Sequence, residues 1–302
     1  MTMITEYLDY MKNIEGAGFN TLKTYRIAMN KVAKILINIK DADNFDENLI
    51  KNLKRKDVKQ MIAKFNDSEN SYNTIKTNHR VLSAFLTYCI DYLEIIEYNV
   101  CKGITIGKVA KAPKDPKPFT DEQVTLLVNS ATCLKFEIMV GFGLYCGLRA
   151  SEIISIERSH IGQGIITIPR ENSKNGEEAK LPIPKIFYKK VCEYLETLDG
   201  KSDYIFLTRN NEKYTYSGFR KVFLQMCKRS KIKYGDKYGY TIHSLRHTYI
   251  TNLGKSCKEG KITLKEFQTL ARHSDIKTTL NIYTHVTTND LRKSIKNVFG
   301  EE

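Results

Sequence analysis

Four short segments in the second half of the chain hold side chains that could do chemistry. Guanidinium groups bind phosphoryl oxygens in two-point geometry, lysine and histidine transfer protons, and a tyrosine hydroxyl can act as a nucleophile. Taken singly, each segment has a simpler explanation: an arginine–glutamate salt bridge, a solvated lysine, a chance His-x-x-Arg pair, or a tyrosine in an apolar core. The segments contain, in chain order, Arg149 with Glu152, Lys174, His243 with Arg246 and His247, and His273 with Tyr283.

The order of these segments is more informative than any one of them. The order consists of a glycine-preceded arginine, a hairpin lysine, His-x-x-Arg, and then His-Ser-Asp with Thr-Thr and Tyr-Thr-His. It resembles that of the tyrosine recombinase (phage integrase) family. The resemblance covers the whole chain. It implies six catalytic residues, which are Arg149, Lys174, His243, Arg246, His273 and Tyr283. Glu152 and His247 are expected to support them through neighbouring contacts.

The implied reaction is an exchange of one phosphodiester for another through a phosphotyrosine, which stores the bond energy and needs no external energy source. A phenol with an ordinary pKa of about 10 needs a base or a cationic surrounding, for which His243 and the two arginines are candidates. By resemblance, Lys174 protonates the departing 5′ oxygen and His273 donates a hydrogen bond to the phosphate. We expect no cofactor and no catalytic metal, since the sequence has no carboxylate cluster.

Two positions leave alternatives open. Lys180 competes with Lys174 for the role of general acid, because both flank the same predicted turn. Before the second histidine the family commonly has Leu-Gly-His, whereas this chain has Leu270-Ala271-Arg272-His273. The local backbone geometry therefore departs from the pattern, and Arg272 is a candidate for an additional phosphate contact.

The elements that must position these residues are mainly helical. Apolar residues at helical spacing predict helices around Ile4–Met11, Tyr25–Leu36 and residues 55–65. A fourth helix is predicted over residues 71–96, and its polar first half should leave the core. Side chains on these helices could contact DNA, although a solvated face is the commoner explanation of such charges. The candidates are Lys23, Arg26, Asn73, Lys76, Asn78, His79 and Arg80.

A lysine- and proline-rich seam divides the chain, since three of the six prolines lie between residues 107 and 120. We expect a helical core-site DNA-binding domain over residues 1–106, a linker over 107–117 and a catalytic domain over 118–302. In the catalytic domain, Thr120 and Gln123 should cap a helix, residues 164–184 should form a hairpin, and residues 204–208 a short strand.

The predicted fold class is therefore mainly α with a small β element. By resemblance, a SAM-like helical core-binding domain precedes an α+β tyrosine-recombinase catalytic domain. With the first domain starting almost at Met1, we expect a simple two-domain recombinase without an arm-binding domain.

Composition agrees with a nucleic-acid partner. The 302 residues carry a formal net charge of +14, which favours a polyanion, and the hydrophobic fraction of 41% excludes a chain that is disordered throughout. Seven scattered cysteines without a Cys-x-x-Cys pair indicate neither a disulfide framework nor a zinc site, so we expect reduced thiols in a cytoplasm. No stretch approaches the length of a membrane span, and we expect no membrane partner.

The resemblance implies a site-specific DNA recombinase acting on double-stranded core sites, for integration, excision or dimer resolution. A chain that is monomeric when free should assemble as a homotetramer on DNA and pass through a Holliday junction. An amphipathic helix over about residues 288–299 would dock on the neighbouring protomer, and accessory directionality or host factors would be further partners. The alternatives are a catalytically silent DNA-binding relative and a relaxing enzyme like type IB topoisomerases.

Overall fold

Apolar residues recurring every three or four positions produce most of the architecture, because each helix buries one stripe against its neighbours. In this computed structural model the described residues are 2–36, 42–68, 70–107, 117–173, 176–235 and 238–272. The chain divides into two compact units, Met1–Pro113 and Lys114–Glu302. The prediction of a mainly helical chain with a small β element is confirmed.

The first unit is helical throughout its described part. The helices are α1 (Met3–Asn13), α2 (Phe19–Leu36), α3 (Glu47–Asn52), α4 (Arg55–Asp67) and α5 (Tyr72–Asp91). The core lies between α2 and α5, where Met29, Val32 and Phe85 are fully buried, and the ring of Tyr7 on α1 packs edge-on against Phe85 at 5.4 Å between centroids.

Helix α5 corrects one expectation. It ends at Asp91, and its polar first half stays against the core, because Ile75 is fully buried and Asn78 is only 3% exposed. The prediction that this end leaves the core was wrong. Ile75 and Asn78 lie three residues apart and therefore share one helical face, which is the face that the core covers.

The second unit surrounds a helix that is buried on nearly all sides, α7 (Leu134–Tyr145), and contains a small sheet. Its helices and strands are α6 (Asp121–Asn129), α7 (Leu134–Tyr145), α8 (Ala150–Ile153), β1 (Ile161–Gly162), β2 (Ile165–Ile168), β3 (Ala179–Pro182), α9 (Lys185–Glu196), α10 (Tyr216–Arg229), α11 (His243–Lys258) and α12 (Leu264–Ala271). None of the described helices in either unit is long and apolar enough to cross a membrane.

The three strands form an antiparallel sheet in the order β1-β2-β3. Ile166 pairs with Leu181, so the predicted hairpin is confirmed, with both side chains buried toward the core. The predicted strand over residues 204–208 was wrong. Tyr204 and Leu207 make only isolated bridges, because the segment pairs briefly with two different partners instead of following one strand.

Helix α11 lies close against α7 because a glycine stands at the contact. A Cβ atom at Gly143 would lie 2.8 Å from Cβ of Leu245, nearer than packed side chains approach. Thr120 and Gln123 form the predicted capping box at the start of α6. The close approach of α11 brings its first turns to the loop that follows α7.

Candidate active site

Arg149 is positioned by a sharp turn after α7. Gly147 has a φ of +63°, which favours glycine, and a Cβ there would lie 2.2 Å from the Tyr249 ring. The turn leads directly into the one-turn helix α8, with Arg149 at its N-cap. The backbone N–H of Arg149 donates to Oε2 of Glu152 at 2.7 Å, and its Nη1 donates to Oε1 at 2.9 Å.

Arg246 is the fourth residue of α11 and is 9% exposed. Its guanidinium donates to the backbone carbonyls of Gly147 and Ala271, and thereby connects the α7–α8 turn with the end of α12. Burial and the neighbouring guanidinium groups of Arg149 and Arg272 lower the pKa of Arg246 to about 9. The group therefore remains a cation at neutral pH.

A third guanidinium belongs to Arg272, which follows α12 in a left-handed conformation with φ of +50°. Its Nη1 and Nη2 donate to the two carboxylate oxygens of Glu152 at 3.1 and 2.8 Å, and Nη2 also lies 3.3 Å from the carbonyl oxygen of Gly147. The sequence singled out Arg272 for a phosphate contact, whereas its contacts in the structure are with the protein.

Glu152 is the single carboxylate that contacts this cluster in the described part of the chain, and it is 3% exposed. Burial alone would raise its pKa, but hydrogen bonds and charge from Arg272 and Arg149 outweigh burial, and the pKa of Glu152 is lowered. Three guanidinium groups and one carboxylate leave a net charge of about +2, which suits the binding of an anion.

The two histidines of α11 differ in their surroundings. His243 is the first residue of the helix and is exposed, on the same face as Arg246 three residues later. His247 is half-buried, and its Nδ1 lies 3.3 Å from the Oγ1 of Thr251 on the same helix. His243 is therefore exposed at the start of α11, and His247 contacts Thr251 one turn further along the same helix.

A cleft of about 380 Å³ opens beside the cluster. Arg149 and Arg272 line it together with residues of the hairpin and of α12. Lys180 on β3 borders the cleft with a side chain that is 67% exposed and lies 3.7 Å from Glu178. The remaining lining residues are Ser173, Glu177, Ala179, Leu181, Lys265, Gln268 and Thr269.

Three of the six predicted catalytic residues, Lys174, His273 and Tyr283, lie outside the described residues. The predicted helix over 288–299 and nearly all of the predicted linker lie outside them as well. The choice between Lys174 and Lys180 therefore stays a prediction. In the part of the chain that the structure describes, no group of three or more His, Cys, Asp or Glu side chains could hold a metal ion.

The candidate DNA contacts of the first unit fall into different environments. Lys23 on α2 is exposed, as are Asn73, Lys76 and Arg80 on one face of α5. Arg26, by contrast, is ion-paired with Asp43.

The other two candidates on α5 are covered. Asn78 is 3% exposed and its Nδ2 has no hydrogen-bond partner among the described residues. His79 is half-buried, and burial lowers its pKa despite a hydrogen bond with the backbone of Cys101. The exposed residues are the ones available to a DNA backbone in this structure.

Sequence reasoning did not identify Tyr249 or the partnership of Arg272 with Glu152. Tyr249 lies three residues after Arg246, a spacing that puts both on one helical face, and that spacing was the available signal. Nothing in the sequence near Arg272 signals its partner, because Glu152 lies 120 residues earlier in the chain.

Comparison with known proteins gives concordant matches. A family model described as the phage integrase family matches residues 118–290. The tyrosine recombinase XerA of Pyrococcus horikoshii is 24% identical over 297 residues, which cover 97% of this chain and 92% of the relative. The tyrosine recombinase XerD of Staphylococcus aureus is 25% identical and covers 97% of this chain and 96% of its own length.

Solved structures share the fold. The Tn1549 transposon integrase in complex with circular intermediate DNA has a TM-score of 0.71 at 20% identity, covering 98% of this chain and 99% of that one. A lambda integrase dimer bound to a COC′ core site has a TM-score of 0.71 at 17% identity, covering 93% of this chain and 75% of that one. At these identities the likeness establishes the architecture.

Proposed function

This chain belongs to the phage integrase family, and on that basis we propose that it acts as a site-specific DNA recombinase through a 3′-phosphotyrosyl intermediate. It is a tyrosine-type DNA breaking and rejoining enzyme. The observation that carries the proposal is the cluster in which Arg246 donates to the carbonyl of Gly147, while Arg149, two residues after that glycine, is held by Glu152 at the edge of the cleft.

The two arginines would bind the non-bridging oxygens of the scissile phosphate, where negative charge accumulates during in-line transfer. Arg246 is held by two backbone carbonyls and Arg149 by Glu152, so neither guanidinium has to be ordered when DNA binds. Prior ordering of this kind lowers the cost of stabilising a transition state.

In the proposed reaction the phenolic oxygen of Tyr283 forms a bond to phosphorus while the bond from phosphorus to the 5′ oxygen breaks. The phenol proton passes to a base, for which the accessible His243 is the candidate, and the departing oxygen takes a proton from Lys174. His273 would donate a hydrogen bond to the phosphate. The reverse reaction, with the 5′ oxygen of another strand as nucleophile, rejoins the DNA.

The partners we propose are double-stranded core sites, bound by four protomers on two sites. Residues 1–106 would form the core-site domain, residues 107–117 a linker and residues 118–302 the catalytic domain. The exposed Lys23, Asn73, Lys76 and Arg80 support DNA contacts by the first of these. The DNA-bound integrases of similar fold give the same support. A cytoplasmic location and a Holliday-junction intermediate belong to the same proposal.

The experiment that tests the proposal looks for the covalent intermediate. Core sites would be selected from a pool of randomised duplexes, and a nick placed near the cleavage point would trap the intermediate by letting the short leaving strand diffuse away. We expect a denaturation-resistant protein–DNA adduct with the wild type and none with Tyr283→Phe.

The matched control is Tyr216→Phe, because Tyr216 is 46% exposed at the start of α10 and lies outside the cluster. This variant should form the adduct at the wild-type rate. Persistence of the adduct in Tyr283→Phe, or its absence from the wild type, would contradict the nucleophile assignment.

A further inference from the structure

We propose that Arg272 is a positioning residue for strand cleavage: by holding both carboxylate oxygens of Glu152, it keeps the guanidinium of Arg149 directed toward the scissile phosphate. The inference deepens the proposed recombinase function and rests on it. Arg272 lines the same cleft as Arg149, but in this assignment it acts through Glu152, because its terminal nitrogens donate to protein oxygens.

The distribution of hydrogen bonds on Glu152 supports this role. Arg272 binds both carboxylate oxygens with its two terminal nitrogens, at 3.1 and 2.8 Å. Arg149 uses one terminal nitrogen, at 2.9 Å, together with its backbone N–H. The bidentate position on the carboxylate, which is the strongest arrangement for a guanidinium, is therefore taken by Arg272.

Exposure separates the two guanidinium groups further. The side chain of Arg149 is 23% exposed, whereas that of Arg272 is 9% exposed. Nε of Arg272 is buried without a hydrogen-bond partner in the described part of the chain, and Nη1 and Nη2 are occupied by the protein. Arg149 is thus the more exposed of the two groups, and the terminal nitrogens of Arg272 are already bonded to Glu152 and Gly147.

The backbone of Arg272 adopts an energetically unfavourable conformation, so the contacts of its side chain must offset a conformational cost. With φ of +50° and ψ of +48°, Arg272 adopts the left-handed conformation that residues with a Cβ rarely take. Its guanidinium also shares the carbonyl of Gly147 with Arg246, while Arg246 donates to Ala271. These contacts close a network that joins the α7–α8 turn, α11 and the end of α12.

Loss of the Arg272 side chain would leave Arg149 as the cationic partner of Glu152 within the described cluster. Arg149 would then be free to pair with both carboxylate oxygens, and that movement would carry its guanidinium away from the phosphate. Displacement of a reacting or binding group by about 1 Å can lower a rate on the order of 100-fold. Cleavage, more than DNA binding, should suffer.

The variant that tests this is Arg272→Gly, because glycine accepts the left-handed backbone and only the side chain is removed. We would measure the affinity for the core-site duplex, the single-turnover rate of adduct formation on the nicked duplex at saturating protein, and the melting temperature. We expect a cleavage rate lower by about 100-fold with DNA affinity close to the wild type, and a lowered melting temperature that added guanidinium raises again, because the ion pair with Glu152 is lost.

Added guanidinium ion gives a second readout, since it can enter the space that Arg272→Gly vacates. Millimolar guanidinium should restore cleavage by this variant, whereas urea, which has a similar shape and no charge, should not. The control variant is Arg209→Ala, an exposed arginine outside the cluster, whose cleavage rate should respond to neither additive. In a Glu152→Gln background, Arg272→Gly should lower the cleavage rate much less than it does in the wild type, because the carboxylate that Arg272 pairs with is already absent.

Each result decides the assignment. An Arg272→Gly enzyme that cleaves at the wild-type rate overturns it, as does a loss of DNA affinity that accounts for the whole defect, which would make Arg272 a direct phosphate contact. A lowered melting temperature without rescue by guanidinium also overturns it. Failure of the wild type to form a Tyr283-dependent adduct would instead refute the proposed function, so the two failures are distinguishable.

Discussion

Glu152 is the residue on which the described part of the site depends. A buried carboxylate is costly unless it is paired and hydrogen-bonded, and here two arginines and a backbone N–H satisfy it. The same pairing holds Arg149 and Arg272 in fixed positions. The contacts of Glu152 with the two arginines therefore stabilise the fold and also position the groups that would bind the phosphate.

Substitution of Glu152 by glutamine should therefore destabilise the fold in a pH-dependent way. Breaking a buried ion pair costs about 3 kcal/mol or more of the free energy of unfolding. The pKa of Glu152 is lowered in the folded state, so its stabilising contribution is fully present above the ordinary glutamate pKa of about 4.3 and is lost as the pH falls through the folded-state value.

We expect Glu152→Gln to be less stable than the wild type at neutral pH, with the difference narrowing below about pH 4. Urea denaturation at several pH values measures it. The control is Glu47→Gln. The side chain of Glu47 is 56% exposed, and its ion pair with Lys51 should contribute at most about 0.5 kcal/mol to the free energy of unfolding. A difference that stays constant down to pH 3 would contradict the assignment of the effect to ionisation.

At the scale of elements, the α7–α8 turn decides where the arginines lie. Two separate features require glycine at position 147 of this turn. Gly147 has a positive φ, and the ring of Tyr249 from α11 occupies the space where a Cβ would be. The carbonyl of the same glycine accepts hydrogen bonds from Arg246 and Arg272. The turn is thus fixed from three directions, by its own backbone, by α11 and by the end of α12.

Gly147→Ala should lower the free energy of unfolding by about 2–4 kcal/mol, because the cost of the strained φ and the cost of displacing the Tyr249 ring are both incurred. The matched control is Gly164→Ala, since Gly164 has φ of +76° with no atom within 4 Å of an added Cβ. The control should cost about 1–2 kcal/mol from the backbone alone. Equal losses in the two variants, measured by chemical denaturation, would show that the contact with Tyr249 contributes nothing.

Much of this element structure follows from the sequence. Local spacing predicted the helices around Ile4–Met11 and Tyr25–Leu36, the Thr120 cap and the hairpin, because these depend on residues a few positions apart. The first half of α5 and the segment 204–208 were mispredicted. Burial of Ile75 and the isolated bridges of residues 204–208 depend on neighbours that are distant in sequence.

For the whole molecule, the charge is shared by both halves of the chain. Residues 1–117 hold 19 basic and 14 acidic residues, a net charge of +5, and residues 118–302 hold 29 and 20, a net charge of +9. Three of the cations, Arg149, Arg246 and Arg272, belong to the buried cluster. The net positive charge of both halves favours the phosphate backbone, which makes DNA binding dependent on salt.

Assembly should depend on the C-terminal segment. Leu291, Ile295, Val298 and Phe299 would lie on one face of a helix, and a docked apolar face suits a cyclic tetramer. Deleting residues 288–302 should leave binding to one core site within about 3-fold of the wild type while abolishing the four-protomer complex on two sites. Mass measurement of the protein–DNA complexes in solution distinguishes the two states.

The matched control for this deletion keeps the segment and replaces two of its cations, with Lys293→Ala and Lys296→Ala in one chain. That variant should assemble as the wild type does, since the apolar face is intact. A tetramer that survives the deletion would refute the docking role.

A plasmid with two core sites distinguishes a recombinase from a relaxing enzyme. A recombinase should produce recombinant circles from it, whereas a relaxing enzyme would change only its supercoiling.

The sequence by itself determined the residue types, their order and the mainly helical class, because helical periodicity, caps and turns are set by neighbours within a few positions. The assignment of Arg149 and Arg246 to one site came from that order. Only the tertiary structure decided that Arg272 pairs with Glu152 across 120 residues and that Gly147 must be glycine. Such pairings arise where α11 and the end of α12 fold back on the α7–α8 turn, and no local pattern encodes that meeting.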